Sequence, residues 1–349
     1  MNIFLGILIS VLAFALMIFI HEFGHFITAK LFKVKVNKFA LGMGPALFKF
    51  GKGETEYSLR AFPIGGYCAM EGEDGESEEP RAFVNQKPWK RLIILVAGAA
   101  MNILLGLIIM SILVCQMPLL GTRYIANVPD ANEGIAEMLQ VGDEILEVNG
   151  KNVYITSDVD YIIALDNDGK ADFLVRRDGE EIELKDVQLS LYTDEDSGSS
   201  GTYIDYGEEG YQFLGKEKTF FGVIGYSISE TISTVRLVLY SFASLITGKI
   251  PIKSIGGPVA VTTTIVKNVT SGWKPILKLI GMISINLGVF NLFPLPALDG
   301  GRILFALIEM IIRRPVSRKV EGIIHTVGFI LLLGLMALIF FKDILSLFI

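Results

Sequence analysis

Two histidines four residues apart, His21 and His25, stand with Glu22 at the end of an uncharged apolar run. Residues four apart lie on one face of an α-helix, so both imidazoles can reach one metal ion. Glu22 can take a proton from a water molecule that the metal activates. The HExxH pattern therefore predicts a zinc hydrolase site, and the alternative is a pair of polar residues buried in a helix bundle.

The apolar run that precedes this motif contains no charged residue from position 3 to position 20. Ionisable groups at the end of a membrane helix are costly and mark functional sites by default. The chain of 349 residues is 51% hydrophobic, with a mean hydropathy of +0.52, which predicts an integral membrane protein. Its net charge of −6 argues against a nucleic-acid partner.

Cysteines and the N-terminus exclude two further classes. Cys68 and Cys115 are far apart in the sequence, which predicts neither a disulfide framework nor a cysteine-type zinc site. The N-terminal run has no basic segment before it and no small-residue cleavage site after it. We therefore expect a retained membrane helix and not a signal peptide.

Four segments are long and apolar enough to span a membrane: 3–28, 91–117, 276–311, which prolines interrupt, and 321–348. A fifth segment, 220–247, mixes apolar with polar residues and carries Glu230 and Arg236, as an interfacial helix does. Basic residues are concentrated after the first span and before the last one, and four spans place both groups on the cytoplasmic side. We therefore predict four spans, with 220–247 on or near the outer surface.

A zinc ion bound by two histidines needs a further protein ligand, usually a carboxylate. Asp299 lies in the interrupted third span, after Pro294 and Pro296, which cannot belong to a regular helix. Broken backbone at membrane depth is tolerated only where it is packed in protein or lines a wet cavity. Asp299 is the predicted third ligand, although it could also cap the helix that resumes there. The third histidine, His325, has no partner motif and is predicted to be a packed polar residue.

These two motifs, HExxH and the NxxPxPxLDG that runs from Asn291 to Gly300, resemble those of the site-2 protease family of intramembrane zinc metalloproteases. The chain is most similar to the bacterial RseP-like branch, which carries an extracytoplasmic PDZ domain. The resemblance implies that His21, His25 and Asp299 bind Zn²⁺ and that Glu22 is the catalytic base. It also implies substrate binding by Asn291, with Asn286 as a weaker candidate. Either asparagine could instead form hydrogen bonds between helices.

Residues 36–70 alternate as β-strands do and contain Gly42-Met43-Gly44 and Gly65-Gly66. In the family that they resemble, this stretch is a sheet that dips into the membrane beside the active site. A protease needs its substrate extended, and the edge of a strand can hold an extended peptide by main-chain hydrogen bonds. We therefore assign these five residues to substrate binding; a cytoplasmic hairpin without a substrate role is the alternative.

The segment 121–218 is hydrophilic, with 23 Asp and Glu against 8 Lys and Arg, which suits a solvated domain outside the cell. Strand patterns with an Asn149-Gly150 turn and an Asp178-Gly179 turn, and a short helix at 157–166, are similar to a PDZ domain. Its peptide groove would lie near Gly134 and Ile135. The segment 193–201 is predicted to be a flexible loop.

These features predict a polytopic α-helical membrane protein with a membrane-associated β-sheet and an inserted PDZ-like β domain. The predicted division is a first half of the protease core at 1–120, the PDZ-like domain at 121–190, a linker with interfacial helices at 191–275, and a second half of the core at 276–349. The expected location is the bacterial plasma membrane, with the active site towards the cytoplasm and the PDZ-like domain outside.

The predicted function is hydrolysis of peptide bonds in or near the transmembrane segments of single-pass membrane proteins. The resemblance implies regulated intramembrane proteolysis of anti-sigma factors, or removal of signal-peptide remnants. The expected partners are these substrates, a peptide ligand of the PDZ-like domain and the lipid bilayer. The alternatives are a non-catalytic membrane scaffold that presents a PDZ domain, a transporter with a broken span, and a soluble-type zinc protease on a membrane tether.

Overall fold

A computed structural model describes residues 2–51, 53–73, 75–129, 138–165, 168–193, 200–204, 210–248 and 256–345. Two compact units divide the chain, one made of 1–109 with 256–349 and the other of 110–255. The predicted groove residues Gly134 and Ile135, and most of the predicted loop 193–201, lie outside the described residues.

Long helices dominate the first unit. They are α1 (Asn2–Leu31), α2 (Pro88–Cys115), α5 (Pro258–Asn268), α6 (Trp273–Leu292), α7 (Asp299–Ile312) and α8 (Arg318–Leu345). Four of them contain segments long and apolar enough to cross a membrane: Ile3–Leu31, Pro88–Cys115, Trp273–Leu292 and Lys319–Leu345. None of the most apolar stretch of α8 is buried by protein, a surface that suits lipid and not water. The four predicted spans are confirmed as helices of the necessary length and composition.

Glycines set the closest contacts between these helices. A side chain at Gly24 of α1 would collide with the backbone of Ala97 in α2. One at Gly288 of α6 would lie 2.8 Å from the carbonyl oxygen of Ala99. In a bilayer helices gain little from hydrophobic burial, so small residues that let backbones approach supply much of the packing. Helices α1 and α6 therefore both pack closely on one stretch of α2.

The third span is interrupted, as its prolines predict. Helix α6 ends at Leu292, α7 begins at Asp299, and Ala297 between them has a φ of 73°. A side chain at Gly300 would collide with the carbonyl of Phe293, so the return of the chain over the end of α6 requires glycine there. The break thereby places an acidic residue in the first turn of a helix inside the predicted membrane region.

Ion pairs and packing hold α7 in place. Arg91 of α2 pairs with Glu309 of α7, and both are buried. Arg302 of α7 pairs with Glu73, just after the sheet described below. Helix α8 supports the break itself, because His325 accepts a hydrogen bond from the backbone N–H of Ala297 at 3.1 Å. His325 is therefore a structural contact of the broken segment.

The predicted sheet between the first two spans consists of β1 (Val36–Phe50) and β2 (Glu56–Met70). Residues 38–41 of β1 have partners in both halves of β2, at 56–59 and at 66–69, so the strands double back. The turns need left-handed backbone, with φ values of 86° at Gly42, 83° at Gly44 and 87° at Gly65. These glycines are therefore required by the fold of the sheet, whatever else they do.

The second unit is built on a sheet in the order β10-β3-β4-β6-β7, with β5 beside β4. Its strands are β3 (Leu120–Asn127), β4 (Glu144–Val148), β5 (Lys151–Asn152), β6 (Lys170–Arg177), β7 (Glu180–Gln188) and β10 (Gln212–Lys216). A separate hairpin pairs β8 (Ser190–Thr193) with β9 (Ser200–Tyr203). This unit also contains helix α3 (Thr156–Ile163). Its hydrophobic core includes the fully buried side chains of Ile145, Phe173 and Val175.

Both turns predicted in this unit are confirmed. Asn149-Gly150 joins β4 to β5 with φ values of 48° and 68°, and Asp178-Gly179 joins β6 to β7 with 51° and 89°. Positive φ at two consecutive residues is the geometry that Asn-Gly and Asp-Gly favour in hairpins. The sheet does continue beyond residue 190, where we predicted a linker, because β10 pairs with β3.

The ambiguous fifth segment is α4 (Phe220–Ile246), which is not among the candidate spans. Its charged residues face α3: buried Glu230 accepts hydrogen bonds from Ser157 at 2.8 Å and Tyr161 at 3.1 Å. Arg236 pairs with Asp158 at 3.2 Å. Burial and the Glu230 carboxylate raise the pKa of Tyr161 above its usual range. The polar residues that suggested an interfacial helix therefore attach α4 to α3.

Candidate metal centre

Helix α1 presents His21 and His25 on one face, as their spacing predicts. Their Nε2 atoms are 3.2 Å apart. Both side chains are largely buried, with exposed fractions of 12% and 8%. Two imidazole nitrogens that face each other at this distance repel through their lone pairs unless a cation or a proton lies between them. The geometry of α1 therefore creates a site for a cation.

The carboxylate of Asp299 completes the group. Its Oδ2 atom is 3.0 Å from Nε2 of His21 and 3.3 Å from Nε2 of His25. Among the described residues, these three form a cluster that could hold a metal ion. Oδ2 is buried and accepts no hydrogen bond with acceptable geometry from the part of the chain that the structure describes. A buried carboxylate oxygen without a donor is costly, and a metal ion between the three atoms would remove that cost.

The spacing of these atoms fits zinc. A tetrahedral zinc ion with bonds of about 2.0–2.1 Å holds neighbouring ligand atoms about 3.3 Å apart. The three observed separations run from 3.0 to 3.3 Å. Two histidines, one carboxylate and an open fourth position are a typical ligand set of a catalytic zinc site. The residues present therefore fit the ion that the sequence predicts.

A hydrogen bond to helix α2 fixes the orientation of the His25 imidazole. The main-chain carbonyl of Ile94 lies 2.8 Å from His25 Nδ1. A carbonyl oxygen can only accept, so Nδ1 carries the hydrogen and Nε2 keeps its lone pair, as a metal-binding imidazole requires. Gly98 lies one turn further along α2, where a Cβ atom would overlap His25 and lie 2.9 Å from Cε1 of His21. Gly98 therefore provides the space in which the two imidazoles meet.

The sheet holds the side chain of Glu22. Its Oε2 accepts a hydrogen bond from the backbone N–H of Cys68 in β2 at 2.9 Å. Gly66 of β2 is also close, since a Cβ atom there would lie 3.6 Å from Cγ of Glu22. The carboxylate is thus oriented beside the two histidines while the end of β2 passes next to it.

Three asparagines of this region have different environments. The amide nitrogens of Asn291 and Asn102 lie 3.5 Å and 3.4 Å from Nδ1 of His21. Asn102 is fully buried, whereas Asn291 is half-buried. Asn286 is exposed on α6, and among the described residues no hydrogen bond joins it to His21, His25 or Asp299. The structure therefore brings Asn291 to the centre and leaves Asn286 outside it.

The remaining residues assigned to substrate binding lie in the turns of the sheet. Side chains at Gly42 and Gly44 would collide with Phe62, and one at Gly65 would lie 3.0 Å from Met43. Met43 is paired with Phe62 and is 55% exposed. Gly66 is the one of the four glycines at which a Cβ atom would have Glu22 among its nearest neighbours. Gly98 and Asn102 were not predicted as site residues, although a small residue followed by a polar one in an apolar span indicates close helix packing.

Sequence comparisons agree with this geometry. The sequence profile of peptidase family M50 matches residues 9–335. The chain belongs to peptidase family M50. A protein of Clostridium perfringens named as a candidate zinc metalloprotease is 37% identical over 97% of this chain and 98% of its own length. A similarly named protein of Fusobacterium nucleatum is 36% identical over 98% and 99%.

A third relative is the zinc metalloprotease RasP of Oceanobacillus iheyensis, which is 28% identical over 97% of this chain and 98% of its own length. Membership of family M50 identifies the chain as a zinc metalloprotease, and its metal is zinc. Together with the four apolar helices, the family also identifies a multi-pass membrane protein.

Proposed function

We propose that this M50 protein is an intramembrane endopeptidase that hydrolyses peptide bonds in or near the transmembrane segments of single-pass membrane proteins. One observation carries the proposal: ligand atoms of His21, His25 and Asp299 converge within 3.0–3.3 Å although they belong to two apolar helices. Ionisable groups at membrane depth are retained where they perform a function. A metal centre built from such helices acts on substrates that the bilayer delivers.

The proposed roles follow from the contacts of each side chain. When bound by His21, His25 and Asp299, zinc supplies Lewis-acid polarisation of a carbonyl and activation of water. Glu22 accepts a proton from the attacking water and transfers it to the leaving amine. The hydrogen bond from Cys68 N–H holds the Glu22 carboxylate in position for both transfers. Asn291 is assigned to substrate binding because its amide is half-buried and lies 3.5 Å from Nδ1 of His21.

The end of β2 is the proposed substrate-binding edge. Residues 66–70 pair with β1 on one side, and on the other side the N–H of Cys68 is bonded to Glu22. An extended peptide that added itself along this edge would pass the catalytic carboxylate. Gly66 belongs to this edge and lies close to Glu22, and Gly42, Met43, Gly44 and Gly65 shape the turns that support the edge. The sheet would therefore convert a helical substrate into the extended form that hydrolysis needs.

The orientation and the outer domain complete the proposal. Basic residues after α1 and before α8 support an active site directed towards the cytoplasm of a bacterial cell. The sheet of the second unit would lie outside as a PDZ-like domain with a peptide ligand, acting as a sensor or as a size filter. Substrates would be single-pass proteins already shortened outside, such as anti-sigma factors, or signal-peptide remnants.

The test uses purified full-length protein in detergent or vesicles with a panel of truncated single-pass substrates. Glu22→Gln should retain zinc and lose cleavage by about 10²–10⁴-fold, because only the proton acceptor is removed. Asp299→Ala should lose both zinc and cleavage, because a ligand is removed. Full activity of Glu22→Gln would eliminate the proposed base. Wild-type protein that binds zinc and cleaves no membrane substrate would favour the scaffold alternative.

A further inference from the structure

Each of the two proposed histidine ligands needs its second ring nitrogen, Nδ1, to be kept in one protonation state. A neutral imidazole that offers Nε2 to a metal carries its hydrogen on Nδ1, and that hydrogen needs an acceptor. For His25 the acceptor is the carbonyl of Ile94 at 2.8 Å. Within the described part of the chain, the groups hydrogen-bonded to Nδ1 of His21 are two side-chain amides, those of Asn102 and Asn291.

Asn102 is the better placed of these two amides. It lies on α2, one turn after Gly98, with an exposed fraction of 0%. Its Oδ1 atom is buried and has no hydrogen-bond partner in the described part of the chain, while its Nδ2 faces His21 Nδ1 at 3.4 Å. Two groups that both need to donate cannot bond to each other. Rotation of the amide by 180° exchanges two atoms of nearly equal size and gives both His21 and Oδ1 a partner.

The backbone of Asn102 is fixed independently of its side chain. Its carbonyl accepts a hydrogen bond from Ser284 of α6 at 2.8 Å, and Ser284 is also fully buried. Asn291, by contrast, is half-buried at 3.5 Å and lies at the end of α6, next to the break. A buried and anchored amide suits a fixed structural contact, whereas a half-buried one remains available to a substrate.

We propose that Asn102 is a positioning residue that accepts a hydrogen bond from Nδ1–H of His21 and holds the imidazole with Nε2 directed at the metal. The inference rests on the proposed function only in that His21 binds zinc through Nε2. The two histidines are then held in the same way, His25 by a main-chain carbonyl and His21 by a side-chain carbonyl, both from α2. Loss of such an outer contact usually weakens metal binding about 10–100-fold.

The experiment measures zinc binding itself, by competition with a chromophoric chelator in the purified full-length protein. Asn102→Leu removes the acceptor at similar volume, and Asn102→Asp keeps an acceptor at the same position. Asn291→Leu removes the rival amide. Thermal unfolding of the metal-free protein shows whether each variant is folded, and the visible absorption spectrum of the Co²⁺ form reports the ligand geometry.

We expect Asn102→Leu to raise the zinc dissociation constant about 10–100-fold and to change the Co²⁺ spectrum, with Asn102→Asp and Asn291→Leu close to wild type. Wild-type affinity in a folded Asn102→Leu protein would overturn the proposal. Equal losses in Asn102→Leu and Asn102→Asp would also overturn it, because only packing would then matter. Since no substrate is used, these results are independent of whether the protein cleaves membrane proteins.

Discussion

Gly98 gives the sharpest test of how the metal centre is packed. A Cβ atom at this position would lie 2.9 Å from Cε1 of His21 and closer still to Nε2 of His25, against 3.4–4 Å for ordinary contact. In Gly98→Ala, His21 must therefore retreat by about 0.5 Å and His25 by more. Metal–ligand distances tolerate about 0.2 Å, so the three ligands can no longer meet around one zinc ion.

The expected magnitude follows from this displacement. A misplacement of about 1 Å at a reacting centre costs about 10²-fold in rate, and overpacking a close contact costs about 1–3 kcal/mol of stability. Zinc content, chelator competition and cleavage of a membrane substrate measure the first effect, and thermal unfolding of the metal-free protein measures the second. In Gly98→Ala, the zinc content, the zinc affinity, the cleavage rate and the unfolding temperature should all fall.

Gly334 provides a matched control. It lies in α8, another apolar helix, and a Cβ atom there would meet nothing within 4 Å. Gly334→Ala should therefore keep zinc binding and cleavage, and alanine favours a helix more than glycine does. If Gly98→Ala binds zinc and cleaves substrate as well as Gly334→Ala does, the close contact between α1 and α2 does not determine the ligand geometry.

Two further predictions concern ionised groups outside the spans. Asp143→Ala removes the fully buried carboxylate to which Arg177 donates hydrogen bonds at 2.8 and 2.9 Å. The second unit should lose about 3–5 kcal/mol of stability and become sensitive to limited proteolysis, and unchanged resistance would contradict this. Hydrogen bonds from Arg81 and then Lys30 lower the pKa of Glu54 from 4.5 to about 2, so its stabilising effect is complete above pH 4.5 and is lost as the pH falls to about 2. The difference in unfolding temperature between wild type and Glu54→Gln should shrink over that range, and a difference independent of pH would refute the ion pair.

The parts of the centre that depend on local geometry could be read from the sequence. The spacing of His21 and His25 determines that they share a face of α1, and Pro294 and Pro296 determine that the third span breaks. Asp299 could be proposed as a ligand only because zinc requires a carboxylate and the break holds one. Its 3.0 Å approach to His21 joins residues 278 positions apart, which no local pattern specifies.

The contacts that position these residues could not be predicted from the sequence in this way. Gly98 and Asn102 belong to an apolar span in which a glycine or an asparagine is equally compatible with ordinary helix packing. Their role depends on which helix contacts α2 at these two positions, and the sequence of α2 does not specify that helix. Likewise β10 was assigned to a linker, because Gln212 pairs with Asn127 across 85 residues and short strands carry little pattern of their own.

The broken segment between α6 and α7 is supported by a helix that comes later in the chain. His325 of α8 accepts the N–H of Ala297, and Gly328 of α8 packs against Pro296. Synthesis proceeds from the N-terminus, so both imidazoles and the carboxylate are made before the support for the carboxylate exists. A nascent chain that ended before Arg318 would contain His21, Glu22, His25 and Asp299, yet it would lack the contacts of α8 with Ala297 and Pro296. The position of Asp299 therefore depends on a helix that is synthesised after it.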